Sequence, residues 1–433
     1  MSIDDTPEPL RIVIIGAGIA GLSAAIALSK QGHHVIVIEK SKFARETGAA
    51  IHIPPNCTAL LQWMDVDPKD FGGTLIEQIH RYDSNGELKY KKELSGIREQ
   101  WQAEWYLVHR VDLHNYLKER LNRTEATLHL GCKITNINIE SEQPTVTLDD
   151  GREFTCDLLL GADGLHSMLR THIIPNFPSP YPVGKSTFRW LLQTDELKTH
   201  EATKDVVGDP GVFVEWAAND RRVVAYPCSN NKIFNLVGFM PTAESGSYDE
   251  GWQAAGDKSA LAKGFSGFAP SVRKMIDMAG DDLKVWALAD MERMPTWVRG
   301  RAALVGDSAH PFQPFMVFDM VDCLVDMKLT KETKDMGQGA AMAIEDALSI
   351  ATLLPLGTKA EGIPSRLAIY EKARQPRVEN ILKYTRLNGA DENDPSVQRM
   401  TAAEMVKAMG ICFVHNEIEH SRQLLEEERG VRL

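Results

Sequence analysis

The stretch LRIVIIGAGIAGLSAAIALSKQGHHVIVIEK, residues 10–40, constrains the fold more than any other part of the chain. A β-branched run at 12–15 predicts a buried strand, the Ala- and Leu-rich segment after it a helix, and a second run at 35–38 another strand. Gly16, Gly18 and Gly21 form a GxGxxG turn where the first strand meets the helix. Such a turn needs missing side chains for the sharp bend, for close backbone approach to a pyrophosphate, and for tight helix packing. The phosphates would rest on the helix amino terminus. Glu39 closes the second strand, where a carboxylate can accept hydrogen bonds from both ribose hydroxyls of an adenosine and would repel a 2′-phosphate. The expectation is a parallel α/β dinucleotide-binding unit. One fingerprint does not decide between NAD and FAD.

A chain of 433 residues has interior enough for two or three domains. Its formal net charge of −12 argues against a general nucleic-acid or anionic-membrane binder and favours a small soluble ligand. The start MSIDDTPEPL is acidic and proline-containing, unlike a secretory signal, and no apolar run reaches the length of a membrane span. Cys57, Cys132, Cys156, Cys228, Cys323 and Cys412 are scattered, with no CxxC pair and no histidine at metal-ligand spacing. These features read as reduced, buried thiols in a cytoplasmic protein without a metal.

Two later segments repeat one design. DLLLGADGLHSMLR, residues 157–170, runs an apolar strand into a turn with Asp163, Gly164, Ser167 and Arg170; GRAALVGDSAHP, residues 300–311, runs another into Gly306 and Asp307. Each places a carboxylate at the carboxyl end of a strand, the ligand edge of a parallel sheet, and Asp307 can there hold a ribityl or ribose hydroxyl. Taken together and in this order, GxGxxG, GADGxxSxxR and GDxAHP make the chain resemble the group A flavoprotein aromatic hydroxylases, the family of salicylate and para-hydroxybenzoate hydroxylases, over nearly its whole length.

The resemblance implies an α/β fold: a Rossmann-like FAD-binding domain, an inserted and mostly antiparallel β-sheet substrate domain, and a C-terminal helical region. The expected boundaries are 8–75 for the GxGxxG part, 76–106 for substrate-domain strands, 107–170 for the FAD-binding part with the DG motif, 171–290 for the substrate domain, 291–355 for the GD motif and flavin helix, and 356–433 for the C-terminal helices. Gly16, Gly18, Gly21 and Glu39 would bind the AMP half of FAD, Asp163 would serve both FAD and a passing NADH or NADPH, and Asp307 would hold the ribityl region. HRVDLHNYL, residues 109–117, looks like the family's R-x-x-L-x-x-x-L and makes Arg110 a flavin ligand; the plainer alternative is a surface arginine on a helix. RETGAAIHIPPN, residues 45–56, resembles the loop that passes the flavin, with Ala50 at the close contact. His52 within it either faces substrate or is packed and hydrogen-bonded in its strand.

Residues 171–290 have a different texture. STFRWLLQTDEL, GVFVEWAA, RRVVAYPCSN and KIFNLVGFM alternate aromatic or β-branched residues with polar ones and predict an antiparallel sheet over the flavin, able to wall an aromatic substrate. By the resemblance to fungal members, Arg189 and Tyr226 grip a phenolate and orient the ring. An electrophilic oxygen donor needs an electron-rich carbon; a guanidinium favours the phenolate, and a tyrosine hydroxyl can donate or relay. The plainer alternatives are an ion pair for Arg189 and a strand-ending Tyr-Pro. Trp190 and Trp216 read as core or pocket wall, because an indole accepts no proton.

The resemblance implies that NAD(P)H reduces FAD, that O2 adds to the reduced ring as a C4a-hydroperoxide, and that the distal oxygen passes to the substrate ring. Only one GxGxxG occurs, so the reductant docks transiently. The positive field for the reduced ring would come from the helix GQGAAMAIEDALSIATLL, whose first residues Gly337, Gln338, Gly339 and Ala340 point free N–H groups at it. RLAIYEKARQPRVENILKYTRLNG and beyond read as amphipathic helices with i, i+4 charge pairs that cover the core; a monomer and a homodimer both fit.

One segment interrupts this pattern. VFDMVDCLVDMKLTKETKDM, residues 317–336, separates the GD motif from the GQG helix, which relatives join directly. Val317, Met320, Val321, Leu324 and Met327 recur at helical spacing, with acids early and lysines late. It is a helical flap over the flavin, a retained intron of a fungal-type gene, or a solvent loop; the retained intron is the preferred reading. The expected activity is an FAD-dependent monooxygenase acting on a phenolic or polyketide-like aromatic. The rivals are epoxidation or decarboxylative hydroxylation, and a catalytically silent flavin-binding protein.

Overall fold

The computed structural model describes residues 7–42, 48–94, 99, 101–246, 254–312, 338–389 and 410–430, with side chains of 384–389 excepted. Gly337, Cys323 and the whole of 317–336 lie outside the described residues.

The β-branched run near the amino terminus forms the strand Arg11–Ile15, at the centre of a six-stranded sheet. Leu158–Gly161 lies on one side of it and His34–Glu39 on the other, both parallel to it. Ala302–Leu304 and Thr127–Leu130 extend the parallel array, and Val298–Arg299 closes one edge antiparallel. The chain reverses its direction of winding at Arg11–Ile15, the switch point beside which doubly wound sheets bind ligands. Two nearly all-buried helices, Ile19–Lys30 and Gly339–Leu353, pack against each other. Burial all round explains why both are rich in alanine and leucine rather than amphipathic.

The second large sheet has seven strands in the order Lys284–Asp290, Tyr181–Gln193, Ile233–Pro241, Arg222–Cys228, Val212–Ala217, Gln78–Asp83 and Leu88–Glu93. It is antiparallel except where Val212–Ala217 meets Gln78–Asp83. Its alternation divides two cores. Phe188, Trp190, Leu192, Val214, Trp216 and Leu236 pack with the helices Lys258–Gly264 and Pro270–Asp277, whereas Phe213, Val224, Tyr226, Val237, Phe239 and Trp286 join the core of the dinucleotide sheet. Arg189, between Phe188 and Trp190, therefore stands on the face that meets the core of the six-stranded sheet. Trp190 and Trp216 are core on the far face: Trp190 Nε1 donates to Met275 O at 3.1 Å, and Trp216 stacks on Tyr82. A small sheet, Ala50–Ile53 with Tyr106–His109 and Thr74–Leu75, links the two large ones.

The carboxyl-terminal region departs from the expected amphipathic cover. Ile363–Gly389 is one long helix whose Arg374 is fully buried and whose Arg377 is nearly so. These arginines meet Glu345 and Asp346 of the Gly339–Leu353 helix and Glu417 of Glu417–Glu428, rather than pairing along their own surface. The five described cysteines are buried and form no disulfide with one another. Burial pushes the thiols of Cys156 and Cys228 up to about 12, which keeps them protonated and inert. Among the described residues no helix is long and apolar enough to cross a membrane.

Candidate functional site

The glycine turn sits at the carboxyl end of Arg11–Ile15. Gly16 has φ +100°, and a Cβ there would stand 2.4 Å from Ala162 O; a Cβ on Gly21 would stand 2.0 Å from Gly16 O. Those two glycines are demanded by the protein itself. At Gly18, the N-cap of Ile19–Lys30, a Cβ would meet nothing within 4 Å, and no side chain caps the helix. The open space in front of that helix end fits a pyrophosphate. Glu39 is held facing the turn: Oε2 accepts from Ala17 N at 2.8 Å and Oε1 from Ser41 N at 2.7 Å. A carboxylate has about four acceptor positions, so each oxygen can still receive a ribose hydroxyl.

Asp163 and Asp307 end neighbouring strands, as the two turn motifs require. Asp163 Oδ2 accepts from Met168 N at 2.6 Å, while its buried Oδ1 has no partner. Asp307 keeps accessible surface, yet its carboxyl is raised by burial, with His310, Arg110 and Arg170 opposing the rise. Accessible surface on a desolvated group describes an acid facing an enclosed space rather than bulk water. Arg110 opens the helix Arg110–Leu121 with an exposed side chain, and its charge acts on both Asp307 and Arg189. It is thus within electrostatic reach of both a strand-end acid and the second sheet.

Arg170 gained no role from its motif alone, and the fold supplies one. Its guanidinium donates to Ser308 O (2.9 Å), Leu165 O (2.7 Å) and Asp307 O (3.1 Å), fastening the two acid-bearing turns together. Asp346 secures the same region from the helix side: its Oδ2 accepts from Gly306 N at 2.8 Å and lies 2.6 Å from His310 Nε2. Gln338 caps Gly339–Leu353 without a side-chain cap bond, and Gly339 and Ala340 form its first turn. Gln338 is fully buried; Oε1 accepts from Asn56 Nδ2 at 3.0 Å, and Nε2 is without a partner.

Across from these groups, the second sheet presents Arg189, Asn235, Tyr226 and Phe213 on one face. Arg189 lies over the Trp286 ring at 4.7 Å, forms no ion pair among the described residues, and has a buried Nε without an acceptor. Burial holds its guanidinium down to about 10, with Tyr226 opposing and Arg110 reinforcing the shift. Among the described residues, the fold does not contain the ion pair of the plainer alternative for Arg189. Tyr226 donates its hydroxyl to Ala50 O at 2.8 Å, and Asn235 Oδ1 accepts from Ala50 N at 3.0 Å. These two residues, one of them missed by sequence reasoning, pin Ala50 to the sheet.

His52 is packed but not hydrogen-bonded. Both ring nitrogens lack partners inside a box of Trp105, Phe213 and Tyr226, with ring centroids 5.7, 5.5 and 4.9 Å away. Burial lowers its pKa to about 3, so the ring is neutral. It presents no accessible nitrogen to a ligand in this arrangement.

The glycine turn, the two strand-end acids and the start of Gly339–Leu353 lie together at one end of the parallel sheet, with Gly16 against Ala162, Gly306 against Ala20 and Ala343, and Arg170 joining the two acid-bearing turns. A flavin dinucleotide fits this set: the Gly18 opening has room for a diphosphate, and the buried Asp163 Oδ1 and Gln338 Nε2 have no partner among the described residues. Residues 10–318 match the model of the FAD binding domain family. Hispidin-3-hydroxylase of Neonothopanus nambi is 31% identical over 391 residues, covering 86% of each chain. The 3-hydroxybenzoate 6-hydroxylase of Klebsiella oxytoca is 28% identical over 399 residues, covering 90% of each. The crystal structure of CtdE with FAD and a substrate superposes with a TM-score of 0.79 at 21% identity, covering 97% of this chain and all of that one, a likeness of fold.

Proposed function

The chain belongs to the FAD binding domain family and is an FAD-dependent monooxygenase, and from that premise we propose that it hydroxylates a phenolic or polyketide-like aromatic, with NADH or NADPH and O2 as co-substrates. Bound FAD would supply the redox chemistry, accepting electrons from the nicotinamide and passing one oxygen atom to the substrate. Gly16, Gly18, Gly21 and Glu39 would hold its adenosine diphosphate part, Asp163, Asp307 and Arg110 its middle, and the helix start at Gln338, Gly339 and Ala340 the ring.

The observation that carries the reading is Arg189, a desolvated cation without an acid, on the sheet face beside Tyr226. Such a guanidinium stabilises a phenolate, and a phenolate makes the ring carbons better partners for an electrophilic oxygen. Tyr226, kept protonated by burial, orients the ring and braces Ala50. The names of the relatives agree in kind, since hispidin and 3-hydroxybenzoate are both phenols. An unpaired guanidinium also receives a ring carboxylate, so decarboxylative hydroxylation is the second reading, separated by CO2 release.

The test is NADH and NADPH oxidation by FAD-loaded protein against a panel of phenols, with hydroxylated product identified. Oxidation stimulated by a phenol and coupled to product supports the reading. A yellow protein that no nicotinamide reduces would make it a silent flavin binder. The 317–336 segment enters through a companion protein lacking it, whose flavin uptake is compared.

A further inference from the structure

Away from the flavin centre, the helix Glu417–Glu428 begins inside a buried cluster of charge. Glu417 is fully buried; its Oε2 accepts from Arg374 Nη1 at 2.7 Å and lies 2.8 Å from His415 Nε2 and 3.7 Å from His420 Nδ1. One donor atom from each of His415, Glu417 and His420 falls within 4.8 Å of the others, and the two imidazole rings stand 5.3 Å apart at 69°. His420 Nδ1 has no hydrogen-bond partner.

Among the described residues, the permanent charges leave this cluster one cation short. Arg374 and Arg377 face three carboxylates, Glu345, Asp346 and Glu417. Two guanidiniums balance two of them, and the remaining carboxylate charge is left to imidazoles, His310 at 2.6 Å from Asp346 Oδ2 and His415 and His420 beside Glu417; a buried carboxylate without a full counter-charge is costly. The side chains of His415 and His420 are 18% and 36% exposed, so the open side of the cluster is reachable from solvent. Two imidazoles and one carboxylate are the donor set of a divalent transition metal. The carboxylate is also braced as metal ligands are: Ser421 Oγ donates to Oε1 at 2.8 Å while Arg374 donates to Oε2. His420 lies one turn beyond Glu417 on the same helix face.

We propose that His415, Glu417 and His420 bind one divalent transition-metal ion, with Zn2+ the best match and water completing its coordination on the exposed side. The ion supplies the missing positive charge. It fastens the C-terminal helix to the flavin helix, because Arg374 holds Glu417, Glu345 and Asp346 at once. Its role is structural and separate from the redox chemistry.

The test uses tag-free, FAD-loaded protein, freed of metal with a chelator and titrated with Zn2+ by calorimetry, with the thermal midpoint followed in parallel. One Zn2+ binds per chain, the midpoint rises with Zn2+, and affinity falls by about tenfold or more in His420→Gln and in His415→Gln. Both histidines are partly exposed, so the variants fold, and their midpoints without Zn2+ check this. Absence of saturable one-to-one binding in the wild-type protein overturns the proposal, as does wild-type affinity retained in both variants.

Discussion

The Tyr226 hydroxyl donates to the carbonyl of Ala50 at 2.8 Å, joining the seven-stranded sheet to the strand Ala50–Ile53. Burial raises the phenol's pKa, so the bond is between neutral groups throughout the working pH range. Tyr226→Phe removes one hydrogen bond, at a cost of about 1 kcal/mol in stability, and lets Ala50 shift. The expected result is intact FAD binding with kcat/KM for a phenol lowered on the order of tenfold, since about 1.4 kcal/mol of positioning corresponds to that factor. Flavin titration and steady-state kinetics on the same preparation check both halves; loss of flavin would mean that Tyr226 shapes the cofactor site instead.

The glycine turn separates what the fold needs from what the ligand needs. Gly16→Ala forces a left-handed residue against Ala162 O and destabilises the protein without ligand by more than about 2 kcal/mol. Gly18→Ala meets open space in an extended conformation, so its cost to the FAD-free protein is about 1 kcal/mol or less. Its effect falls on the diphosphate, with FAD affinity reduced tenfold or more. Urea denaturation of FAD-free protein and fluorescence titration of FAD distinguish the two. Equal destabilisation by both substitutions would contradict the assignment of the Gly18 space.

These contrasts explain how much could be read in advance. GxGxxG and the strand-end acids Asp163 and Asp307 were legible because their requirement is local: a bend, a missing Cβ, a carboxylate where a strand stops. The face of Arg189 followed from strict alternation with Phe188 and Trp190. The Glu345, Asp346, Arg374, Arg377 and Glu417 cluster was not legible, because its members come from three helices and each looks like a solvent charge within its own segment. The one hint was two acids in the otherwise apolar GAAMAIEDALSIATL. Asn235 acts through one backbone partner distant in sequence, and Arg170 through backbone carbonyls that include the distant Asp307 and Ser308; no periodicity records such bonds.

Arg189 carries a trade between stability and function. It is desolvated, has no acid partner among the described residues, and is supported by the Trp286 ring. Arg189→Met exchanges an imperfectly compensated charge for an apolar chain of similar length. Such exchanges are neutral or stabilising by about 1–4 kcal/mol, less the cation–π contact of up to about 2 kcal/mol. The thermal midpoint is therefore unchanged or raised. Turnover moves the other way, with kcat/KM falling about a hundredfold for loss of a charge-assisted contact to the reacting phenolate. A midpoint that drops sharply together with activity would mark Arg189 as a structural residue.

The buried network sets the acid limit of stability. Burial alone would raise the Glu345 carboxyl, but Arg377 and then Arg374 overrule it and hold it down to about 2, from an ordinary value of 4.5. Glu417 is likewise held well below its ordinary range by Arg374, against the effect of burial. A carboxyl depressed in the folded state contributes stability that is fully present above its unfolded pKa and is lost as pH falls through the folded one. The chain should therefore keep the network's contribution at pH 6 and lose it between about 4.5 and 2, as the unfolded state takes up protons that the folded state refuses. Urea midpoints at half-unit steps of pH measure the slope. Glu345→Gln starts lower, because Arg374 and Arg377 lose a shared carboxylate, and it shows a shallower decline across that window. A variant with the wild-type slope would place the acid sensitivity elsewhere.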